Sequence, residues 1–532
     1  MTVAVVAVDV GSTGARAGVF DLSGRMLGYG AHSFDVHRPA ADHAEHDSAQ
    51  IWRAVCAAVQ AARDAAGVSP SRIAALAFDA TCSLVMLDAH GAPVTVSTTL
   101  EDRWNVLMWA DHRATNEAQA ITASGHRVLA HVGGTMSPEM QLPKLMWLRE
   151  HLPQAWARYG HAFDLADFLT WKATGTPGVS NCTVTCKWGY LAHADGWPDD
   201  LLESIGLGSL RRQMQLPARA WPVGGCAGRL SADSAAELGL AAGTAVGVGL
   251  IDAHAGALGV LGGTAPDALD RQLALIAGTS NCHMALSRAP RRVPGVWGPY
   301  LGAVLPEWWL NEGGQSATGA ALDHLLDTHT AASTLGADRH HAICEYIGRQ
   351  RQADPQGFGS GLLVVPDFNG NRSPLADARL RGVIHGLDLD ASFDGLAKLY
   401  HATALGIAFG TRHIVDTLNA HGYAIDQLNM TGGHARSPLL VQIYADATGC
   451  DVMLPREGDA VLLGTAIAAT LADGHFADFA QAGKAMAHQG SRVRPVAATR
   501  RRYDREYAAF RLLVTQRGAL AALLHETPDR TT

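Results

Sequence analysis

A chain of 532 residues with 48% apolar and 17% charged residues is too long for one core and excludes a largely disordered protein; two domains, or three, are expected. A net charge of −8 gives no electrostatic reason to expect nucleic acid or an anionic membrane as the main partner, and no apolar run reaches the roughly 20 residues of a membrane helix. The eight cysteines are scattered, their only close pair (Cys182 and Cys186) has no second pair to complete a zinc site, and no basic leader precedes the first apolar run, so reduced thiols in a cytoplasm are expected.

From the N-terminus, VAVVAVDV (3–10) reads as a buried strand, ARAGVFDL (15–22) as the strand after a turn, and RMLGYGAHSF (25–34) as a third. SAQIWRAVCAAVQAARDAAG (48–67) reads as a helix capped by Ser48 and stopped by Gly67, and IAALAFDA (73–80) as a further strand. The amphipathic KLMWL segment places Lys144 in a supporting role. VGVGLIDAHAGALG (246–259) is an apolar strand followed by Asp252, His254 and a helix start built of small residues. GVLGGTAPDALDRQ (259–272) is rich in turn residues and reads as a linker. Beyond it LALIAGTSNCHMALS (273–287) repeats the opening strand–turn–strand unit, as a duplicated domain would. The strand-like QLNM precedes the turn TGGHARS and the helix-like PLLVQIYADATG. Near the C-terminus TRRRYDREYAAFRLL is a basic amphipathic helix, read as a solvated face closing the second domain. Strands mixed with helices throughout predict an α/β fold.

Three glycine turns carry the chemistry. Asp9 ends the first strand, and Gly11, Ser12, Thr13 and Gly14 follow in a turn whose amides and hydroxyls suit phosphate oxygens. Asp9 can hold Mg²⁺ directly or through water, and Arg16 can add a cationic contact. An ordinary hairpin with an incidental aspartate is the competing reading. Gly278, Thr279 and Ser280 repeat the arrangement, and Gly432 with Gly433 offers bare backbone to a nucleotide base or sugar. Neither a Walker A pattern nor a GxGxxG fingerprint occurs, so phosphates would rest on hairpin turns.

These turns resemble the phosphate and adenosine motifs of the actin-like ATPase fold, and residues 1 to about 490 resemble its FGGY carbohydrate kinase branch. PKLMWLREH, DLADFLTWKATG and FNGNRSPLADARLRG are similar to FGGY segments, although SPEMQ departs from the family's common form. DATCSLVMLD, MWADHRA, SPEMQLPKLMWL and SNCTVTCKW resemble the D-ribulose kinase group of pentulose kinases. The resemblance implies two actin-like (ribonuclease H-like) α/β domains around a central cleft. Residues 1–262 would serve sugar and phosphate, 263–490 the nucleotide, and 491–532 would be a helical extension. It implies ATP and Mg²⁺, a small-molecule sugar substrate, and a homodimer.

By the same resemblance Asp252 is the general base, with helix capping as the bland alternative; His254 is the other nearby candidate and reads as structural. Only five lysines stand against thirty-seven arginines, which makes each lysine informative. Lys187 would donate to a sugar oxygen, Glu139 would accept from a hydroxyl, and Asp79, Ala80 and Thr81 would line the same pocket. Asp111 and Arg113 form either an ion pair or part of that pocket. Trp308 and Trp309 are expected at the interdomain cleft, and GGQSATG near the nucleotide. D-ribulose is the expected substrate, with L-ribulose, xylulose, ribitol or sedoheptulose as near alternatives and a non-kinase actin-like ATPase as a distant one.

Overall fold

The computed structural model describes residues 3–336, 338–354, 357–456 and 458–525. Two compact units are interleaved along the chain. The first comprises residues 1–269, 284–311 and 455–489, and the second residues 270–283, 312–454 and 490–532. The stretch 263–490 is therefore shared between both units rather than held by the second alone.

The first unit opens with strands β1 (Ala4–Val10), β2 (Gly14–Asp21) and β3 (Met26–Ser33), helix α1 (Ser48–Ala66) and strand β4 (Ile73–Ala80). These match the expected elements to within two residues at each end. The cap differs: the Asp47 carboxylate, not Ser48, accepts the Ala49 and Gln50 amides, and Gly67 ends α1 in the left-handed region as expected. Helices α2 (Thr115–Ala123), α3 (Gln141–His151) and α4 (Asn181–Lys187) follow. Strands β5 (Cys226–Arg229), β6 (Ala245–Gly247) and β7 (Leu250–Ile251) then lead directly into helix α5 (Asp252–Leu261). The sheet runs β3–β2–β1–β4–β6–β5, with β7 also on β4. Its first three strands are antiparallel neighbours, and β1, β4 and β6 run parallel.

Strand alternation decides which side chains share a face of this sheet. Ala4, Val6, Val8 and Val10 of β1, with Leu76, Phe78 and Ala80 of β4, join Ile51, Trp52, Val55 and Val59 of α1 in one buried cluster. Each such large side chain contributes about 1.5–3 kcal/mol of burial. The alternate positions of β1 and β4 therefore point to the opposite face, and among them are Asp9 and Asp79. That face is covered by a helix from late in the chain, Ala460–Ala472, which packs on β1, β4 and α5. Its crossing with α5 is close: a Cβ on Gly259 would sit 1.9 Å from the Ala460 carbonyl oxygen, and one on Gly464 1.8 Å from that of Ala255. The small residues of both helices are the sequence correlate of that approach. The turn-rich 259–272 stretch is mostly ordered structure, since α5 runs to Leu261 and a 3₁₀ helix spans Pro266–Arg271.

Strand β8 (Gln272–Ala277) belongs to the second unit, and strand β9 (Asn281–Ser287) passes from the second unit into the first at residue 284. Helix α6 (Phe393–Ala420), strand β10 (Gln427–Thr431), helix α7 (Pro438–Thr448) and nearly all of strand β11 (Asp451–Pro455) belong to the second unit. Helix α8 is the Ala460–Ala472 element of the first unit, and strand β12 (Gln489–Val493) and helix α9 (Ala497–His525) complete the chain. The strands are ordered β9–β8–β10–β11–β12, with β8, β10 and β11 parallel. The basic C-terminal helix packs rather than floats. Tyr503, Tyr507 and Phe510 are buried around Phe409, and Arg517 pairs with Asp367 at 2.6 Å.

Candidate active site

Register brings three carboxylates together at the C-terminal ends of neighbouring central strands of the first sheet. Asp9 lies opposite Asp79 across the parallel β1–β4 pair, and Leu250 of β7 also lies opposite Asp79. Two residues later Asp252 opens α5, where its Oδ1 accepts the Ala253 amide at 2.7 Å. Arg16, opposite Asp9 on β2, pairs with Asp9 and reaches Asp459 Oδ2 at 2.8 Å. The Thr465 hydroxyl of α8 donates to Asp79 Oδ2. The other Asp79 oxygen, Oδ1, is buried.

All three acids are pushed toward the neutral form. Burial raises Asp79 well above the usual carboxylate range, with the Asp9 charge adding to it. Burial raises Asp9 although Arg16 opposes the shift. Asp252 is raised to about 6, first by burial and then by Asp9, while His254 and Lys187 pull it down. The cluster is thus short of positive charge, and Asp79 and Asp9 share a hydrogen bond between their carboxyls. That donor set fits Mg²⁺, which takes one or two carboxylates and completes its shell with water and phosphate oxygens. Among the described residues the three do not close into an all-protein cage, since only a different trio brings its ligand atoms within 4.8 Å of one another.

The opening turn is closed by the Gly11 amide on the Gly14 carbonyl at 3.0 Å. Ser12 is held from two sides: its hydroxyl accepts from the Trp109 indole and its carbonyl from His46 Nε2, each at 2.9 Å. Burial pushes the His46 imidazole down to about 4, so it stays a neutral donor. Thr13 is exposed at the tip. In the second unit the Gly278 amide meets the Ser280 carbonyl at the same 3.0 Å, and the Thr318 hydroxyl, from the GGQSATG segment, donates to the Gly278 carbonyl at 2.9 Å. Gly432 is brought against the same strand end. With φ at 96°, its missing Cβ would lie 2.4 Å from the Ala277 carbonyl oxygen, whereas nothing lies within 4 Å of a Cβ on Gly433. Gly432 is thus required by backbone packing, and Gly433 presents the open face.

On the other side of Asp252, Lys187 ends α4 at 5% exposure with its ammonium 4.3 Å from the Trp297 ring centre. Helix α4 is held against α5 by sulfur: Cys182 Sγ lies 3.1 Å from His254 Nδ1 and accepts the Ile251 amide at 3.4 Å, and Cys186 Sγ lies 4.0 Å from the same nitrogen. These contacts seat the two helices that present Lys187 and Asp252. Glu139 precedes α3 and lies 3.6 Å from His112 Nε2. Thr81 follows β4, its amide on the Val10 carbonyl and its hydroxyl 3.1 Å from Ser83, with Ala80 buried before it. Lys144 is fully buried and donates to the Met108 carbonyl at 2.9 Å; burial lowers it to about 8, and Glu139 and Lys187 both lie within its electrostatic reach. Asp111 and Arg113 form a buried bidentate pair at 2.8 and 2.7 Å that also takes in Glu45 at 2.7 Å.

Residues 4–259 match the N-terminal domain and residues 273–472 the C-terminal domain of the FGGY family of carbohydrate kinases. The chain belongs to that family. This FGGY kinase is 42% identical to an FGGY carbohydrate kinase domain-containing protein of Danio rerio, across 98% of this chain and 99% of that one. It is 35% identical to a D-ribulokinase of Saccharomyces cerevisiae, across 88% of this chain and 72% of that one. Its fold superposes on a xylulose kinase from Rhodospirillum rubrum with a TM-score of 0.80 at 23% identity, covering 97% and 99% of the two chains, so the architecture is the expected two-domain actin-like one. The protein is a sugar kinase, which by its family uses ATP and a sugar, and the non-kinase ATPase alternative falls away.

Three site residues of this FGGY kinase escape a reading of the sequence. Asp459 and Thr465 lie 443 and 386 positions from their partners Arg16 and Asp79, and Trp297 is also far along the chain from Lys187. Asp459 does carry a local signal, since it accepts the Leu462 amide as the N-cap of α8. Of the paired tryptophans, Trp308 lies under Arg288 and Trp309 against His193.

Proposed function

We propose that this FGGY kinase phosphorylates a pentulose, D-ribulose, to D-ribulose 5-phosphate. The observation that carries the mechanism is Asp252, raised to about 6 at the mouth of α5 with Lys187 in electrostatic reach. A carboxylate poised there accepts the proton of the sugar's terminal hydroxyl while that oxygen attacks the γ-phosphorus and the bond to ADP breaks. Lys187 donates to a sugar oxygen, Glu139 accepts from a hydroxyl, and Ala80 and Thr81 line the pocket. The turns at Gly11–Gly14 and Gly278–Ser280 hold the β- and γ-phosphates, with Arg16 beside the first, and Gly432 and Gly433 face adenosine. Asp9 would hold Mg²⁺, and Asp79 lies beside it and lines the sugar pocket with Ala80 and Thr81. The bound cation supplies charge neutralisation at the phosphates. The D-ribulokinase name of the yeast relative supports the choice of sugar. We place the enzyme in the cytoplasm as a homodimer.

The test is ADP release with Mg·ATP across D-ribulose, L-ribulose, D-xylulose, ribitol and sedoheptulose. D-ribulose should give the highest kcat/KM. Preference for another sugar in the panel would overturn the substrate and leave the base assignment standing.

A further inference from the structure

The first unit carries a second cluster of ligating groups with no part in phosphoryl transfer. Glu117 lies in the first turn of α2, and Glu150 and His151 close α3; one ligand atom from each lies within 4.8 Å of the other two. Glu150 and His151 are exposed, whereas Glu117 is 7% exposed and its Oε2 is buried with no hydrogen-bond partner. A buried carboxylate oxygen without a donor is an unbalanced charge that a bound cation would satisfy.

The histidine is set up to ligate. His151 Nδ1 lies 3.1 Å from the Trp147 carbonyl, which can only accept, so this nitrogen carries the proton and Nε2 keeps its lone pair. The ring is fixed further by stacking on Trp147, with centres 4.5 Å apart and planes 9° from parallel. A backbone carbonyl that sets the tautomer and orientation of a ligating imidazole is the usual outer-shell arrangement of a metal site.

We infer that Glu117, Glu150 and His151 form a binding site for a divalent transition-metal ion, Zn²⁺ above all. One imidazole and two carboxylates leave a coordination position for water and favour Zn²⁺ over the oxygen-seeking Mg²⁺ and Ca²⁺. The ion joins α2 to the last turn of α3. The first turns of that helix carry Gln141, which donates to the Cys82 carbonyl and Asp164, and Lys144 on Met108. The site is thus a clamp on the helix behind the sugar-side residues, distinct from the Asp9 cluster.

The full-length protein is stripped with a chelator and titrated with Zn²⁺ against a chromophoric competitor, beside Glu150→Gln and His151→Gln. Both exposed substitutions should leave the metal-free melting temperature and the Mg·ATP-dependent kinase rate unchanged. One Zn²⁺ per chain should bind the parent, and each variant should bind it at least tenfold more weakly. Co²⁺ in the same site should show weak d–d bands without thiolate charge transfer. Equal Zn²⁺ affinity in parent and variants, or a thiolate band that puts the metal on cysteine, overturns the proposal whatever sugar the enzyme prefers.

Discussion

Replacing Asp252 by asparagine separates proton transfer from the carboxyl's hydrogen bond at the helix start. Ile251, not Asp252, occupies the N-cap, so Asp252 is the first helical residue, and an asparagine amide oxygen can keep the Ala253 hydrogen bond while the proton acceptor is lost. Loss of a general base lowers a rate by roughly 10²–10⁴, or about 3–5 kcal/mol of barrier, so kcat should fall by that factor with the sugar KM moved little. Stability should move the other way. A carboxyl lifted on folding from 3.8 to about 6 opposes folding by on the order of 3 kcal/mol. That penalty is absent below pH ~4, grows as pH rises through the interval up to about 6, and is complete above it. Metal-free Asp252→Asn at pH 7.5 should therefore melt at or above the parent temperature while being nearly inactive. The parent's kcat/KM should fall as pH drops through about 6, or somewhat lower with Mg·ATP bound, and the residual rate of the variant should lack that limb. Steady-state ADP release and thermal melts decide it. A variant retaining a tenth of the parent kcat, or losing activity and stability together, would refute the assignment and leave Asp252 a structural residue of the first helical turn.

Lys187→Met should raise the sugar KM roughly 10–100-fold, the value of one charge-assisted hydrogen bond, and shift the acid limb upward because a cation that lowers Asp252 is gone; a pH-resolved KM series measures both. Arg113→Met strands Asp111 and Glu45 in the interior and should cost about 3–5 kcal/mol, seen as a lower unfolding midpoint with the kcat of the remaining folded protein close to the parent value. Gly432→Ala forces a side chain toward the Ala277 carbonyl at a φ of 96°, a strain of about 1–3 kcal/mol. It should raise the KM for ATP and leave that for sugar within about twofold, as measured by varying each substrate at saturation of the other.

What the sequence discloses is what is local. The glycine turns at 11–14, 278–280 and 432–433 sit at strand ends where the pattern places them, because a strand followed by Gly and a small hydroxyl residue is defined by neighbours in the chain. Asp252 is found by the same logic at a strand-to-helix junction. The lateral partners are not local. That Asp79 lies opposite Asp9 follows from the parallel β1–β4 register, which no spacing along the sequence encodes. Asp111 and Arg113 show the same limit, since their ion pair is settled only by Glu45 arriving from a distant strand. The helix cap moved by one residue because Asp47 and Ser48 are both good capping residues, and only the backbone conformation decides between them.

The position of α8 explains why the first unit needs a segment from so late in the chain. Asp9, Asp79 and Asp252 are acids on or beside a buried sheet face, and Arg16 alone does not offset them, since burial still raises Asp9 against its pull. Helix α8 supplies a hydroxyl to Asp79, orients Arg16 through Asp459 at its N-cap, and covers the acid-bearing face of β1 and β4 with small residues. Burial is what brings Asp252 to about 6, so the helix that buries the cluster also tunes the base. A chain ending before Pro455 would retain every residue of the opening turn and of α5. It would expose the three acids to water, return their pKa values toward the ordinary carboxylate range, and leave a phosphate turn without a poised base.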